Sequence, residues 1–539
     1  MSHMSIALAS ATTDQTFVVL GFMLFITITL FLSVFSGLDS ESPKEFYIGT
    51  EKASPITNGL AIAGSFVSTS LLLTITGVVA TVGLDGITMA TDVLLSFGLL
   101  ILLARPLQQS RSQTLGDVFA RRASGAGPRV AAAVATLAAA GPFLVVQLIG
   151  AGNVTANLLG FPGLGAQRLC TVVIGGLVVT CGILSGARGL TSVQILAAGV
   201  TLGAMTAAAL SVIALFHGKL NSLFTAADSG GAYPGRYFSP GGLGLSGTDR
   251  VDFIGIQLTL VLGSAAMPHV LNRIHATGDP VIARRAVKYA IWIVAPVCLA
   301  VVFLGIGAAA KVGARSIFSG KPNGDDALMS LAQYLSKGPQ PVIGTILFTA
   351  IACAVFLSVL SVVGGNIVAA AGAIAKDVYR HAARPAQQDP GRELAVARTA
   401  VFFFGLAGIA IAVLLQGYSA GFLAQLTTTV AASVVAPALL YSFYWKGYTR
   451  AGLLCTVYGG TLITFVLYAF SPLVSGSSSA LFPDRDFAWF HHSNPAVISI
   501  PVAFLLGWGV STLDRRRDDT EGEVPPARAS SSRAGQKTW

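Results

Sequence analysis

The stretch from Pro55 to Gly83 is long enough to cross a bilayer and carries no charged side chain, yet it does not read as a plain apolar helix. It runs PITNGLAIAGSFVSTSLLLTITGVVATVG, with Gly59 and Gly64 as candidate breaks and hydroxyls at Ser65, Ser68, Thr69, Ser70, Thr74 and Thr76 near mid-depth. Lipid offers no water to backbone N–H and C=O groups, so an interrupted helix survives there only where its freed groups face protein or a polar cavity. The segment therefore predicts a place that holds a small ion or solute.

The rest of the chain agrees with a membrane setting. Of 539 residues, 53% are hydrophobic and only 11% are charged, and the mean hydropathy is +0.71. A soluble domain could not present such a composition at its surface. The net charge of +10 does not indicate nucleic acid, because the basic residues fall in short clusters between apolar runs, where they orient spans. Cys170, Cys181, Cys298, Cys353 and Cys455 lie in or beside apolar runs at no metal-like spacing and read as packed free thiols. Met1 to Asp14 lacks a basic leader region, so the first span is expected to be retained.

Apolar runs of span length lie at 16–36, 55–82, 88–108, 128–158, 169–187, 190–217, 251–274, 283–311, 341–378, 395–416, 420–445, 450–473 and 494–513. The expectation is an all-α polytopic membrane protein with about thirteen transmembrane helices. With the N-terminus outside and the C-terminus inside, roughly 22 Lys and Arg residues fall in cytoplasmic connections against roughly 9 outside, which favours that orientation. The outer connections, 218–250, 312–340 and 474–492, are long and rich in Gly, Ser and Asp, and are expected to form surface structure or lids.

Several segments carry a resemblance. NGLAIAGSF in the second run, LVVQLIGAG at Leu144 to Gly152, GLTSVQILAAG at Gly189 to Gly199, AAMPHVLNR at Ala265 to Arg273 and AIAKDVY at Ala373 to Tyr379 resemble the sodium/solute symporter family. The likeness runs in order through nearly all of the chain except the tail. NGLAIAG and MPHVLNR are most similar to the cation/acetate symporter branch, which carries short monocarboxylates.

The resemblance implies a leucine-transporter-like fold of two inverted five-helix repeats. In this chain that gives an N-terminal segment with the first helix (1–54), a first repeat (55–217), an extracellular loop (218–250), a second repeat (251–446), two additional helices (447–513) and a disordered cytoplasmic tail (514–539). Interrupted helices should occupy matching positions in the two halves. The first helix of each half does carry helix breakers, Gly59 and Gly64 in one and Gly263 and Pro268 in the other.

The resemblance also implies a sodium ion held by the backbone carbonyls of Ala63 and Phe66 and the hydroxyls of Ser358 and Ser361. Spacing of three places the two serines on one helical face. The chain departs from many members of the family by having Val362 in place of a second hydroxyl and Ser65 in place of a carboxylate or amide. A proton is the alternative coupling ion. His269 is then the candidate relay, since imidazole changes charge near neutral pH, and its other reading is hydrogen-bonded structure beside Pro268.

A small anion needs separate provision. The second, fourth, seventh and eleventh runs carry no Lys or Arg at mid-depth. An anion there must rely on the positive end of a half-helix with hydroxyl and amide donors. Ser68, Thr69, Ser70, Gln147, Gln425 and Thr428 are the candidates for substrate contact. Gln147 is the strongest, because an amide in an apolar run is costly unless paired; a structural bond between helices is its other reading.

One charge crossing roughly 100 mV is worth about 2.3 kcal/mol, so one cation per anion cancels the opposition of an inside-negative potential. The expected activity is cation-coupled symport of acetate, propionate, pyruvate or a close relative across the inner (plasma) membrane, with no cofactor beyond Na+ or H+. The expected partners are the solute and membrane lipid, with no nucleic acid, and protein partners are left open. A sodium-coupled carrier of a neutral amino acid or sugar is the alternative, and a channel is a weaker one. An enzyme would need clustered His, Asp, Glu or Cys inside the bilayer, which the sequence does not supply.

Overall fold

The computed structural model describes residues 2–37, 42–49, 53–161, 163–242, 247–320, 324–338, 341–383, 389–418, 421–477, 480–482 and 484–522. Among them the regular structure is entirely helical. Eleven helices are long and apolar enough to cross a membrane, or twelve when the bent pair Pro55–Phe66 and Ser70–Val82 counts as one span. The expected count of about thirteen differs at one place. The runs 169–187 and 190–217 follow one another within Leu164–Leu215 as two helices joined at a kink at Gly186, whose φ of 51° and ψ of −155° are not helical. A Cβ there would stand 2.7 Å from the Phe46 ring, so both the conformation and the close approach call for glycine.

Local chemistry sets many helix starts. Ser54 accepts from the Thr57 N–H ahead of Pro55, and Asp279 accepts from Val281 and Ile282 ahead of Pro280. Thr449 caps Arg450–Ala469 in the same way through the Gly452 N–H. The helix Pro341–Gly372, continued as a wider π-helical stretch over Ala373–Ala383, is the most enclosed of the spans. It packs against Leu164–Leu215, Ala126–Leu158 and the short helix Pro268–His275. The most exposed spans are Val18–Gly37 and Pro390–Leu415, which present Phe31, Phe35, Phe403 and Leu414 outward, as lipid-facing surfaces do.

Two of the long connections contain short helices, Leu220–Gly230 in one and Ala314–Gly320 and Ala327–Ser336 in the other. The five cysteines are free, four of them buried. The last helix, Ala496–Gly522, runs on past Leu513, where the tail was expected to begin, and 523–539 lies outside the described residues.

Candidate functional site

The interruption of the second span falls at Val67 to Thr69, and the two halves meet at an angle of 65°. Gly59 and Gly64, the expected breaks, lie inside the first half instead. They are sites of close approach: a Cβ at Gly59 would come within 2.7 Å of the Tyr289 Cβ, and one at Gly64 would overlap the Gln194 carbonyl oxygen. The break itself sits where β-branched and hydroxyl residues crowd together, and such side chains compete with helical bonding.

Both cut ends are supplied with partners. The Val67 N–H closes the first half on the Ala63 carbonyl. The Ser361 hydroxyl donates to the Gly64 carbonyl at 2.7 Å, and Ser358 donates to that of Val67 at 2.5 Å. At the start of the second half, Leu71 N–H donates to Ser68 Oγ at 3.2 Å. Gln147 Oε1 accepts from both the Thr69 N–H, at 3.1 Å, and the Thr69 hydroxyl, at 2.5 Å. A wide π-turn over Ser70–Ile75 follows, a distortion that recurs at functional sites in helices.

The four oxygens of Ser358, Ser361, Gly64 and Val67 form a set without nitrogen or sulfur, the donor type that suits a hard alkali cation. Ser358 and Ser361 thus reach the interrupted helix as expected, but each bonds the carbonyl one residue beyond the expected Ala63 and Phe66. The rotation of the helix that carries the serines sets this register, and the Ala63 carbonyl accepts from the Val67 N–H of its own helix. Val362 is fully buried alongside and contributes no oxygen.

Next to the break lies a cavity of about 310 Å³. Of the expected substrate contacts, Ser68, Ser70, Gln425 and Thr428 line it, and so do Phe66 and His269. Thr69 and Gln147 do not; they pair with each other behind the wall, although Gln147 Nε2 is buried with no partner among the described residues. The Gln425 Oε1 atom is also buried without a partner among the described residues, whereas the Thr428 hydroxyl is occupied by carbonyls of its own helix. His269 stacks on Phe143 with ring centroids 5.4 Å apart and lies against the Ser65 backbone and the Asn366 side chain, and its Nδ1 has no partner among the described residues. No Lys, Arg, Asp or Glu is among the described lining residues.

Two residues that sequence reasoning passed over belong to this neighbourhood. Gln194 and Asn366 are fully buried; the Gln194 amide has no partner among the described residues, and the Asn366 side chain lies against His269. Gly365 brings Gln194 and His269 to one spot, since a Cβ there would lie 3.8 Å from Gln194 Nε2 and 3.3 Å from His269 Cβ. The signal was available: each is an amide inside an apolar run, as Gln147 is.

Beyond this level the bundle is tied by charge. Asp117 meets Lys376 Nζ at 2.6 Å and Arg129 at 2.9 Å, while Asp377 accepts from Thr114 at 2.7 Å and lies 3.3 Å from Arg129. Burial alone would raise the Asp117 carboxyl, but Lys376 and Arg129 outweigh it and hold the group well below the usual carboxylate range. Alongside, Glu393 pairs with Arg380 and accepts from the Tyr47 hydroxyl at 3.1 Å.

A polytopic helical bundle, a broken span whose ends are held by side chains from other helices, and a cavity at the break are together the features of a membrane carrier. The sodium:solute symporter family matches residues 46–460, and the chain belongs to that family. It is 32% identical over 512 residues to a monocarboxylic acid transporter of Corynebacterium glutamicum, covering 93% of this chain and 92% of that protein. It is 30% identical over 512 residues to an uncharacterized symporter of Bacillus subtilis, covering 93% and 96%.

Among solved structures, the chain resembles a Na+-coupled sialic acid symporter in a substrate-bound outward-open state, with a TM-score of 0.67 at 13% identity over 93% of this chain and 98% of that one. It also resembles a nucleobase-cation-symport-1 family transporter in a closed conformation with bromovinylhydantoin bound, with a TM-score of 0.53 at 12% identity over 90% and 96%. At such identities the likeness establishes the fold they share. The protein is a cation-coupled symporter of the plasma membrane with multiple spans, and membership of the sodium:solute symporter family supports sodium as a coupling ion.

Proposed function

We propose that the protein imports a short monocarboxylate, such as acetate, propionate or pyruvate, by alternating access. The observation that carries this reading is the break at Val67 to Thr69, where a half-helix begins beside a cavity that has hydroxyl and amide groups but no Lys or Arg among its described lining residues. A helix N-terminus with nearby donors can hold one carboxylate, and the low charge of the site disfavours a dicarboxylate or phosphate. The monocarboxylic acid transporter named above, similar along nearly its whole length, supports the same choice.

The cation in this reading is a sodium ion at Ser358 and Ser361 with the neighbouring carbonyls. The chain crosses the membrane thirteen times, Leu164–Leu215 counting as two spans divided at Gly186. Its N-terminus is outside and its C-terminus inside, and residues 55–217 and 251–446 form the inverted repeats. A neutral solute is the second reading, favoured by the lack of any Lys or Arg in the cavity lining.

Counterflow in proteoliposomes with a panel of short acids, an amino acid and a sugar, in the presence and absence of sodium, separates these readings. Saturable, sodium-dependent counterflow of pyruvate or acetate is expected. Exchange confined to the neutral solutes would replace the first reading by the second.

A further inference from the structure

Asp92 is a carboxylate inside the membrane part of the bundle that the cation site does not use. It lies on Leu84–Gln109, about 12 Å along the axis from the helix start at 1.5 Å per residue. It is only 7% exposed. Its neighbour is the side-chain amide of Gln257, on Gly247–Ala265. Met89 and Val93 beside Asp92, and Ile256 and Leu260 beside Gln257, line the cavity, so the pair sits one layer of side chains behind the cavity wall.

Among the described residues no charged group is paired with this carboxylate. On its own helix, Asp85 lies two turns away and accepts from the Gly241 N–H. From Gly247–Ala265, Asp252 is engaged by His492 and the N–H groups of Ser493 and Asn494. Pro280–Lys311 carries Arg284, Arg285, Lys288, Tyr289, Cys298 and Lys311; Pro268–His275 carries His269, Arg273 and His275; Ala436–Tyr444 carries Tyr441 and Tyr444. The halves Ser70–Ile75 and Thr76–Val82 carry no titratable side chain. Among the described residues, none of these groups is paired with Asp92.

An ionised acid held by one neutral amide in a low-dielectric seam is costly, and an ionisable residue inside a membrane bundle marks an ion or proton route. The amide can serve either protonation state. With nitrogen toward Asp92 it donates to the carboxylate; turned over, its oxygen accepts the O–H of the protonated acid. The two residues also belong to different proposed repeats, so the seam between them changes as the repeats rock.

We infer that Asp92 and Gln257 form a proton-binding site: Asp92 takes a proton when the seam beside the cavity wall opens to water on one side, carries it as the neutral acid while the seam closes, and releases it when the seam opens to water on the other side. One proton crosses per cycle and no other bond is made or broken. With one sodium and one monocarboxylate, the cycle then moves one net positive charge inward. This inference rests on the transport reading above, and its test keeps the two apart.

Purified full-length protein is reconstituted with equal sodium on both sides and the membrane potential clamped, and labelled pyruvate is followed with the outside more acid. Wild type is expected to accumulate pyruvate about tenfold for a gradient of about one pH unit, since one proton per solute equates the two ratios. Asp92→Asn, which keeps the shape and can still bond Gln257, should lose this accumulation yet keep pyruvate counterflow at equal pH, and Asp92→Glu should restore it. Gln257→Leu removes the donor to the charged form and should move the midpoint of the uptake–pH profile alkaline. Asp92→Asn accumulating pyruvate as wild type does, or a profile unmoved in Gln257→Leu, would overturn the inference. Wild-type counterflow that ignores the pH gradient would also overturn it while leaving the transport reading intact, whereas absence of any pyruvate counterflow would overturn that reading first.

Discussion

The two interrupted helices that open the proposed repeats solve the same problem in different ways. In the first, the cut ends at Val67 to Thr69 receive partners from two other helices: Gln147 holds Thr69, and Ser358 and Ser361 hold the facing carbonyls. In the second, the chain breaks for only Ala266 and Met267, with Ala266 N–H bonded to the Gly263 carbonyl and Pro268 starting the next helix without an N–H to satisfy. No side chain caps that start, and Arg250–His275 remains one span, whereas the first is bent by 65°. A break held by borrowed, exchangeable partners can trade them for an ion or solute. A break closed by proline and its own backbone behaves as a fixed joint.

This contrast can be broken most readily at Gln147. Gln147→Leu leaves the Thr69 N–H and hydroxyl buried and unpaired, a penalty of about 1–3 kcal/mol per group. Initial uptake at matched protein level is expected to fall on the order of 100-fold, by the same energy scale. Met267→Leu in the second break should stay within about twofold, because volume is conserved and no polar partner is lost. Equal losses in the two variants would erase the distinction.

A smaller effect is expected at the serines. Ser361→Ala removes one oxygen from the proposed cation site, and the half-saturating sodium concentration should rise about tenfold, as loss of a single hydrogen-bond-scale contact does. An unchanged sodium dependence would leave Ser361 as a purely structural tie between helices. The smallest change is expected for Thr428→Val. Its hydroxyl is spent on the Ala424 and Gln425 carbonyls, so the half-saturating pyruvate concentration should move by less than about threefold.

Legibility in the sequence followed the kind of signal each residue carries. The membrane class, the interrupted second span and the burial of Gln147 against a partner follow from rules that act locally: apolar run length, helix-breaking composition, and the cost of an unpaired amide. The position of the break does not. Gly59 and Gly64 look like breakers, but they are small because Tyr289 and Gln194 press against them, a tertiary demand that composition cannot distinguish from flexibility. The identity of the carbonyls facing Ser358 and Ser361 depends on helix rotation, and one residue of register separates Ala63 and Phe66 from Gly64 and Val67.

Asp92 was readable and overlooked. It is a lone acid within the third apolar run, a stronger mark of function than the hydroxyls around it, because Ser and Thr often satisfy their own helix. Its partner Gln257 was not readable, since the pairing joins two helices far apart in the chain.

The central claim is that a small carboxylate occupies the cavity at the first break only in company with a cation. Ser68→Cys, made in a Cys455→Ser background, puts a thiol on the cavity wall, while the four remaining native cysteines are buried. The rate at which a water-soluble thiol reagent labels this cysteine in reconstituted protein, with and without pyruvate and sodium, is the direct measurement. The account predicts that pyruvate slows labelling in sodium and fails to do so when choline replaces it. Labelling that pyruvate leaves untouched in both salts would contradict it.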